Sequence, residues 1–181
     1  MKIGFNTNCL SLRGTEIAVY GYALHNQELL GNESVIFYRK QNPAIESVVE
    51  KFSKHFKLLP YDGNHKLNQL IEREKIDAAY FIKPGERDDV MCTSAPAWVH
   101  AVFPTAIAEF HGDKYAFVLE WLARECSNSQ TPFVPHMISL PEQMSDLRTS
   151  LGIPQDATVI GSSGGAIALT LDFLKPEYCV L

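Results

Sequence analysis

The sequence predicts an α/β fold, an open Rossmann-like parallel sheet with helices on both faces. Two observations carry this. Short apolar runs alternate along the chain with amphipathic helical stretches, the pattern of strands that return through helical crossovers. The chain also opens with a strand, a glycine turn and a helix start: Lys2-Ile3-Gly4-Phe5-Asn6 leads into Arg13-Gly14-Thr15-Glu16. A glycine at the head of a helix lets backbone N–H groups approach a ligand where the first turn leaves donors unpaired, so this opening suits an anion or a sugar.

The elements follow in order. Ile3–Phe5 form the first strand, and Ile17, Tyr20, Ala23 and Leu24 mark a helix that stops at Gly31-Asn32. Val35–Tyr38 make a second strand, Ile45–Phe52 a helix, and Lys57–Leu59 a third strand, while Leu67, Leu70 and Ile71 mark the next helix. Asp77–Ile82 form a fourth strand ended by the turn Lys83-Pro84-Gly85-Glu86. Ala97–Phe103, between Pro96 and Pro104, is a fifth strand; Tyr115–Leu119 is a sixth, followed by a helix through Trp121 and Leu122. A short helix over Asp146–Leu151 ends at Gly152-Ile153-Pro154, and Ala157–Gly161 begin a fresh strand. The expected organisation is a domain over residues 1–135 holding one sheet, a linker over 136–156, and a separate segment over 157–181.

Composition excludes several classes. With 46% hydrophobic and 20% charged residues in 181, the chain can bury a core and does not resemble a disordered protein. A net charge of −5 without a basic stripe argues against a nucleic-acid partner. Cys9, Cys92, Cys126 and Cys179 are widely spaced, with no CxxC pair, so free thiols are expected rather than disulfides or zinc. Only five residues precede the polar Asn6-Thr7-Asn8, which predicts neither signal peptide nor membrane anchor and hence a cytoplasmic chain. GxGxxG and GxxxxGK[ST] are both missing, so neither a dinucleotide cofactor nor a P-loop is expected. No metal is expected either, since no DxD carboxylate pair occurs and His111-Gly112-Asp113 reads as a turn.

A set of short segments points further. Ser11-Leu12-Arg13-Gly14-Thr15-Glu16 with Tyr20 and Tyr22-Ala23, Ile82-Lys83 with Gly85-Glu86, His100-Ala101-Val102-Phe103, His111-Gly112-Asp113 with Tyr115-Ala116, Val134-Pro135-His136 and Asp146-Leu147-Arg148 follow one another in a characteristic order. In this order, across roughly residues 1–165, the chain resembles the N-terminal half of a retaining, nucleotide-sugar-using glycosyltransferase of the GT-B fold, of a subgroup with an RGTE loop. The resemblance implies transfer of a hexose from a nucleotide-sugar donor to a carbohydrate or other hydroxyl acceptor, with this half on the acceptor side. It implies that His100 is directed at the transferred sugar, and that Gly14, Thr15, Glu16, Lys83, Glu86, Gly112 and Asp113 bind substrate. Glu16, in the first helical turn, would orient the loop rather than act as a base.

The donor is held mainly by the second domain of such enzymes. Residues 157–181 match only its start, with Gly164 and Gly165 as the donor-binding positions. The resemblance therefore implies a truncated or split enzyme, inactive alone, with a separately encoded donor domain as partner; the alternative is a noncatalytic sugar- or acceptor-binding module. Gly14, Lys83, His100 and the loop around Gly112 are expected to meet in one crevice at the carboxyl ends of the strands. Each also has a plain structural alternative: a turn glycine, strand-end polar residues, a hydrogen-bonded core histidine. Tyr20, Tyr22, Trp98 and Trp121 read as core or rim aromatics.

Overall fold

The computed structural model describes residues 1–137 and 147–158. Contacts divide the chain into two compact units, residues 1–139 and 140–181. The first contains six parallel strands: β1 (Lys2–Thr7), β2 (Glu33–Arg39), β3 (Lys57–Tyr61), β4 (Ala78–Lys83), β5 (Ala97–Ala101) and β6 (Lys114–Phe117). They lie in the order β3-β2-β1-β4-β5-β6. The order reverses direction between β1 and β4, the switch point at which open parallel sheets form a crevice beyond their carboxyl ends. All six strands expected from the apolar runs are present, and the α/β class and its Rossmann-like design hold.

Helices α1 (Gly14–Glu28), α2 (Glu46–Ser53), α3 (Asn64–Glu74) and α4 (Glu120–Ser127) cover the sheet. On one face Ile3, Phe5, Ile36, Ala78 and Ile82 are buried with Ala18, Val19, Tyr22 and Ala23 of α1 and Val48 and Phe52 of α2. The opposite face buries Val35, Phe37, Ala79, Phe81 and Ala97 with Leu67, Leu70 and Ile71 of α3. Because alternate residues of each strand supply the two faces, strands sandwiched in this way read as unbroken apolar runs. A third cluster joins Ala101, Phe117 and Val118 to Leu122 and Ala123 of α4.

β5 is two residues shorter than its apolar run. β4 ends at Lys83 before Pro84, so Val102 and Phe103 still donate to the carbonyls of Lys83 and Pro84, at 3.0 and 2.9 Å, but pass beyond the sheet. The β4–β5 connection, residues 84–96, contains no helix. Polar contacts replace one. Asn68 Oδ1 accepts from the amides of Thr93 (2.8 Å) and Ser94 (3.1 Å), Asn64 bonds the main chain of Asp89 and Met91, and Arg39 pairs with Asp89 at 2.9 Å.

In the second unit the described residues include one short helix, α5 (Arg148–Leu151), which ends at Gly152. It is shorter than the expected Asp146–Leu151. The expected strand over Ala157–Gly161 falls largely outside the described residues, as do Gly164 and Gly165.

Candidate functional site

The loop between β1 and α1 is fixed to its neighbour: Leu10 N donates to Pro43 O at 3.2 Å and Ile45 N to Leu10 O at 2.8 Å. Inside it lies Glu16, only 2% exposed despite its place in the first turn of α1. Three short side chains surround its carboxylate. Cys9 Sγ donates to Oε1 at 3.1 Å, Thr15 Oγ1 to Oε2 at 3.1 Å and Ser11 Oγ to Oε2 at 3.4 Å. A buried carboxylate is tolerable only with such donors, so Glu16 here organises the loop. Burial, reinforced by the Glu16 carboxylate, pushes the Cys9 thiol above its ordinary pKa, so it stays protonated and able to donate. Asn8, Cys9, Ser11, Arg13, Asn42 and Pro43 line a polar cavity of about 210 Å³ beside this loop. Gly14 begins the helix with no side-chain cap at Arg13, and a Cβ at Gly14 would meet nothing within 4 Å.

His100 occupies the same end of the sheet, in register with Ile82, on the face covered by α1. It is 3% exposed. Its Nδ1 lies 2.5 Å from the hydroxyl of Tyr80, and its ring packs 5.5 Å from that of Tyr22 and 6.1 Å from that of His136. Tyr22 in turn donates to Pro135 O at 2.8 Å, which fixes residues 134–136 alongside α1. Burial lowers the pKa of His100 to about 4, outweighing the main chain of Phe117 and Val134, which favours the charged ring. The imidazole is neutral at pH 7 and suited to hydrogen bonding rather than to taking up a proton. Nε2 is buried with no hydrogen-bond partner.

The other expected residues are distributed differently. Lys83 is at the carboxyl end of β4 but on the opposite face, where its buried ammonium contacts Val90 O (2.8 Å), Asp88 Oδ1 (2.5 Å) and His111 Nε2 (3.2 Å). Alternation accounts for this, because Ile82 and Lys83 are consecutive and only Ile82 shares the face of His100. Glu86 is exposed in the loop after β4. Gly112 and Asp113 precede β6 and so lie at the amino end of the sheet, where Asp113 Oδ2 accepts from Ala97 N at 2.7 Å. The single crevice expected from the sequence therefore needs correcting. The loop after β1 and His100 share an end and a face; Lys83 is on the opposite face, where it meets the loop around Gly112 through His111, while Gly112 and Asp113 themselves lie against Ala97 at the start of β5.

Sequence reasoning read Tyr22 as core or rim and gave Tyr80 no role, yet both build the surroundings of His100. The signal is alternation: Ala78, Tyr80 and Ile82 of β4 share a face, and Trp98 and His100 of β5 lie on that same face in register with Tyr80 and Ile82.

Cys9, Cys92 and Cys126 are free thiols. Among the described residues no group of three or more His, Cys, Asp or Glu could hold a metal ion, and no helix is long and apolar enough to cross a membrane. Fold and site together define an open, all-parallel α/β protein with a polar loop and a buried histidine at one end of its sheet. No family model, no curated protein and no solved structure matches the chain.

Proposed function

We propose that this chain is the acceptor-side half of a hexosyltransferase that uses a nucleotide sugar. The observation that carries the reading is the joint position of the Arg13-Gly14-Thr15-Glu16 loop and His100 at the carboxyl end of one face of a 3-2-1-4-5-6 sheet. Ligands of such sheets bind there. The ordered resemblance of the sequence segments to a GT-B glycosyltransferase gives the reaction class, and the uncapped start of α1 gives a hydrogen-bonding surface for hydroxyl or phosphate oxygens.

In this reaction an acceptor hydroxyl attacks the anomeric carbon as the bond to the nucleoside diphosphate breaks on the same face, and the departing phosphate takes the hydroxyl proton. No protein base is required. A neutral His100 and a loop organised by Glu16 fit a contribution made of positioning and hydrogen bonding. The nucleotide belongs, in this reading, to a facing donor domain that residues 1–137 do not contain, supplied by the same or a separate chain.

The second reading is noncatalytic binding of a sugar or hydroxyl ligand, in which His100 has no part in transfer. His100 is 3% exposed, which suits a packed histidine as well as a sugar contact.

The test is titration of ¹⁵N-labelled chain with UDP- and GDP-hexoses, followed by amide spectra and a transfer assay. The reading expects weak binding, in the millimolar range or above, with shifts concentrated at Gly14, Thr15 and Glu16, and no turnover until a donor domain is added. Micromolar binding with turnover by this chain alone, or shifts confined to the Gly112 edge, would overturn it.

A further inference from the structure

Residues 132–137 run alongside α1 and leave between them a cavity of about 750 Å³. Its size falls within the range of small-molecule sites. The walls are almost wholly apolar, with Phe5, Tyr80, Trp98 and Ala116 from the sheet and Leu29 and Leu30 just past the end of α1. Those two leucines are 72% and 70% exposed, unusual for neighbours on one helix end.

Among the described residues His100 Nε2 and His25 Nδ1 make no hydrogen bond, although His25 Nδ1, on a partly exposed ring, lies 3.7 Å from Glu28 Oε2, which leaves His100 Nε2 as the one without a charged neighbour. Both belong to residues that line this cavity. A buried nitrogen without a hydrogen bond carries a desolvation cost that a ligand atom can remove, so His100 Nε2 marks where a ligand's polar atom belongs. Lys114 is the one other ionisable cation in the lining, and it is exposed.

We infer that this cavity binds an apolar alcohol, a hydrocarbon body lying between α1 and residues 132–137 with its hydroxyl hydrogen-bonded to His100 Nε2. The hydroxyl is singled out because Tyr80 already engages Nδ1 and the main chain of Phe117 and Val134 beside the ring favours a proton on Nε2, so Nε2 offers a donor that a hydroxyl oxygen can accept from. A carboxylate could accept from the same donor but would bury its charge beside a neutral ring. That this alcohol is the sugar acceptor rests on the transferase reading above; that it binds does not.

Trp98 lines the cavity and Trp121, on α4, does not, so Trp121→Phe leaves Trp98 as the reporter. In that background Trp98 fluorescence is titrated with 1-octanol, 1-fluorooctane and octanoate. The expected result is a saturable change for octanol, at least tenfold tighter than for fluorooctane or octanoate. His100→Phe, which keeps the ring volume, brings octanol and fluorooctane within twofold of each other, and Ala116→Phe, which fills the cavity, removes the saturable change for both. Near-UV circular dichroism checks that each variant folds. Should His100→Phe fail to fold, the ligand series and Ala116→Phe still decide. Equal affinity for octanol and fluorooctane, tighter binding of octanoate, an unaltered titration in Ala116→Phe, or a dimer that buries Trp98 and ignores octanol overturns the inference. Octanol binding without sugar transfer in the presence of a donor domain counts against the transferase reading alone.

Discussion

The phenol of Tyr80 reaches diagonally across two parallel strands to His100, its oxygen 2.5 Å from Nδ1, although in register Tyr80 faces Trp98. His100 is buried and Tyr80 half-buried, and removal of the phenol from water holds its pKa well above the ordinary value. The pair is therefore a neutral hydrogen bond that fixes the imidazole through Nδ1. Tyr80→Phe should cost about 1–3 kcal/mol, the consequence of a buried nitrogen losing its partner. Urea unfolding measures this, and a change below about 0.5 kcal/mol would show that the contact contributes little.

Acid should weaken the fold through the same histidine. The folded-state pKa of His100 is about 4, below the 6.5 of a free imidazole, so between those values the unfolded chain holds the extra proton. Stability is then complete above pH 6.5 and falls as the pH drops towards 4, by on the order of 3 kcal/mol from this group. Burial also lowers the pKa of His136, which acts with the same sign. Unfolding midpoints at pH 7, 5.5 and 4.5 should decline for the native chain and decline less for His100→Phe.

Two glycines should respond in opposite ways. Gly85 has φ of +140°, and a Cβ there would overlap Thr105 Oγ1, so Gly85→Ala should destabilise by about 1–3 kcal/mol. Gly14→Ala meets open space and should change thermal stability by no more than ~0.5 kcal/mol. If Gly14 contacts substrate, this nearly silent substitution should still abolish the nucleotide-sugar shifts at Thr15 and Glu16.

Lys83→Met separates a structural from a substrate role for Lys83. Its ammonium holds Val90 O and Asp88, so the variant should lose about 1–3 kcal/mol and show faster hydrogen exchange in residues 88–93. Octanol binding, on the other face, should be unchanged. Unaltered exchange together with lost sugar binding would return Lys83 to the substrate site.

Glu16→Gln keeps the shape of the side chain but replaces one acceptor oxygen with a donor facing Cys9, Ser11 and Thr15. The β1–α1 loop should loosen, with exchange at Ser11 and Arg13 rising about tenfold, a loss of about 1.4 kcal/mol. Unchanged exchange would mean that the cluster does not organise the loop.

The sequence alone determined the strands, because a strand sandwiched between helices must be apolar on both faces and shows as a short unbroken run, as at Val35–Tyr38 and at Ala78–Ile82 within the expected Asp77–Ile82. It also determined the helix after β1, whose glycine and apolar spacing are local features. Only the tertiary structure decided what those strands bring together. Whether Lys83 faces His100 depends on pleat parity, and whether Gly112 reaches the carboxyl edge depends on which end of β6 it occupies. The surroundings of His100 come from β4, α1 and residues 134–136, as far as 114 positions apart in the Tyr22–His136 contact. No local spacing encodes such an encounter, because it is set by the order in which parallel strands join the sheet and by the helix that crosses between them.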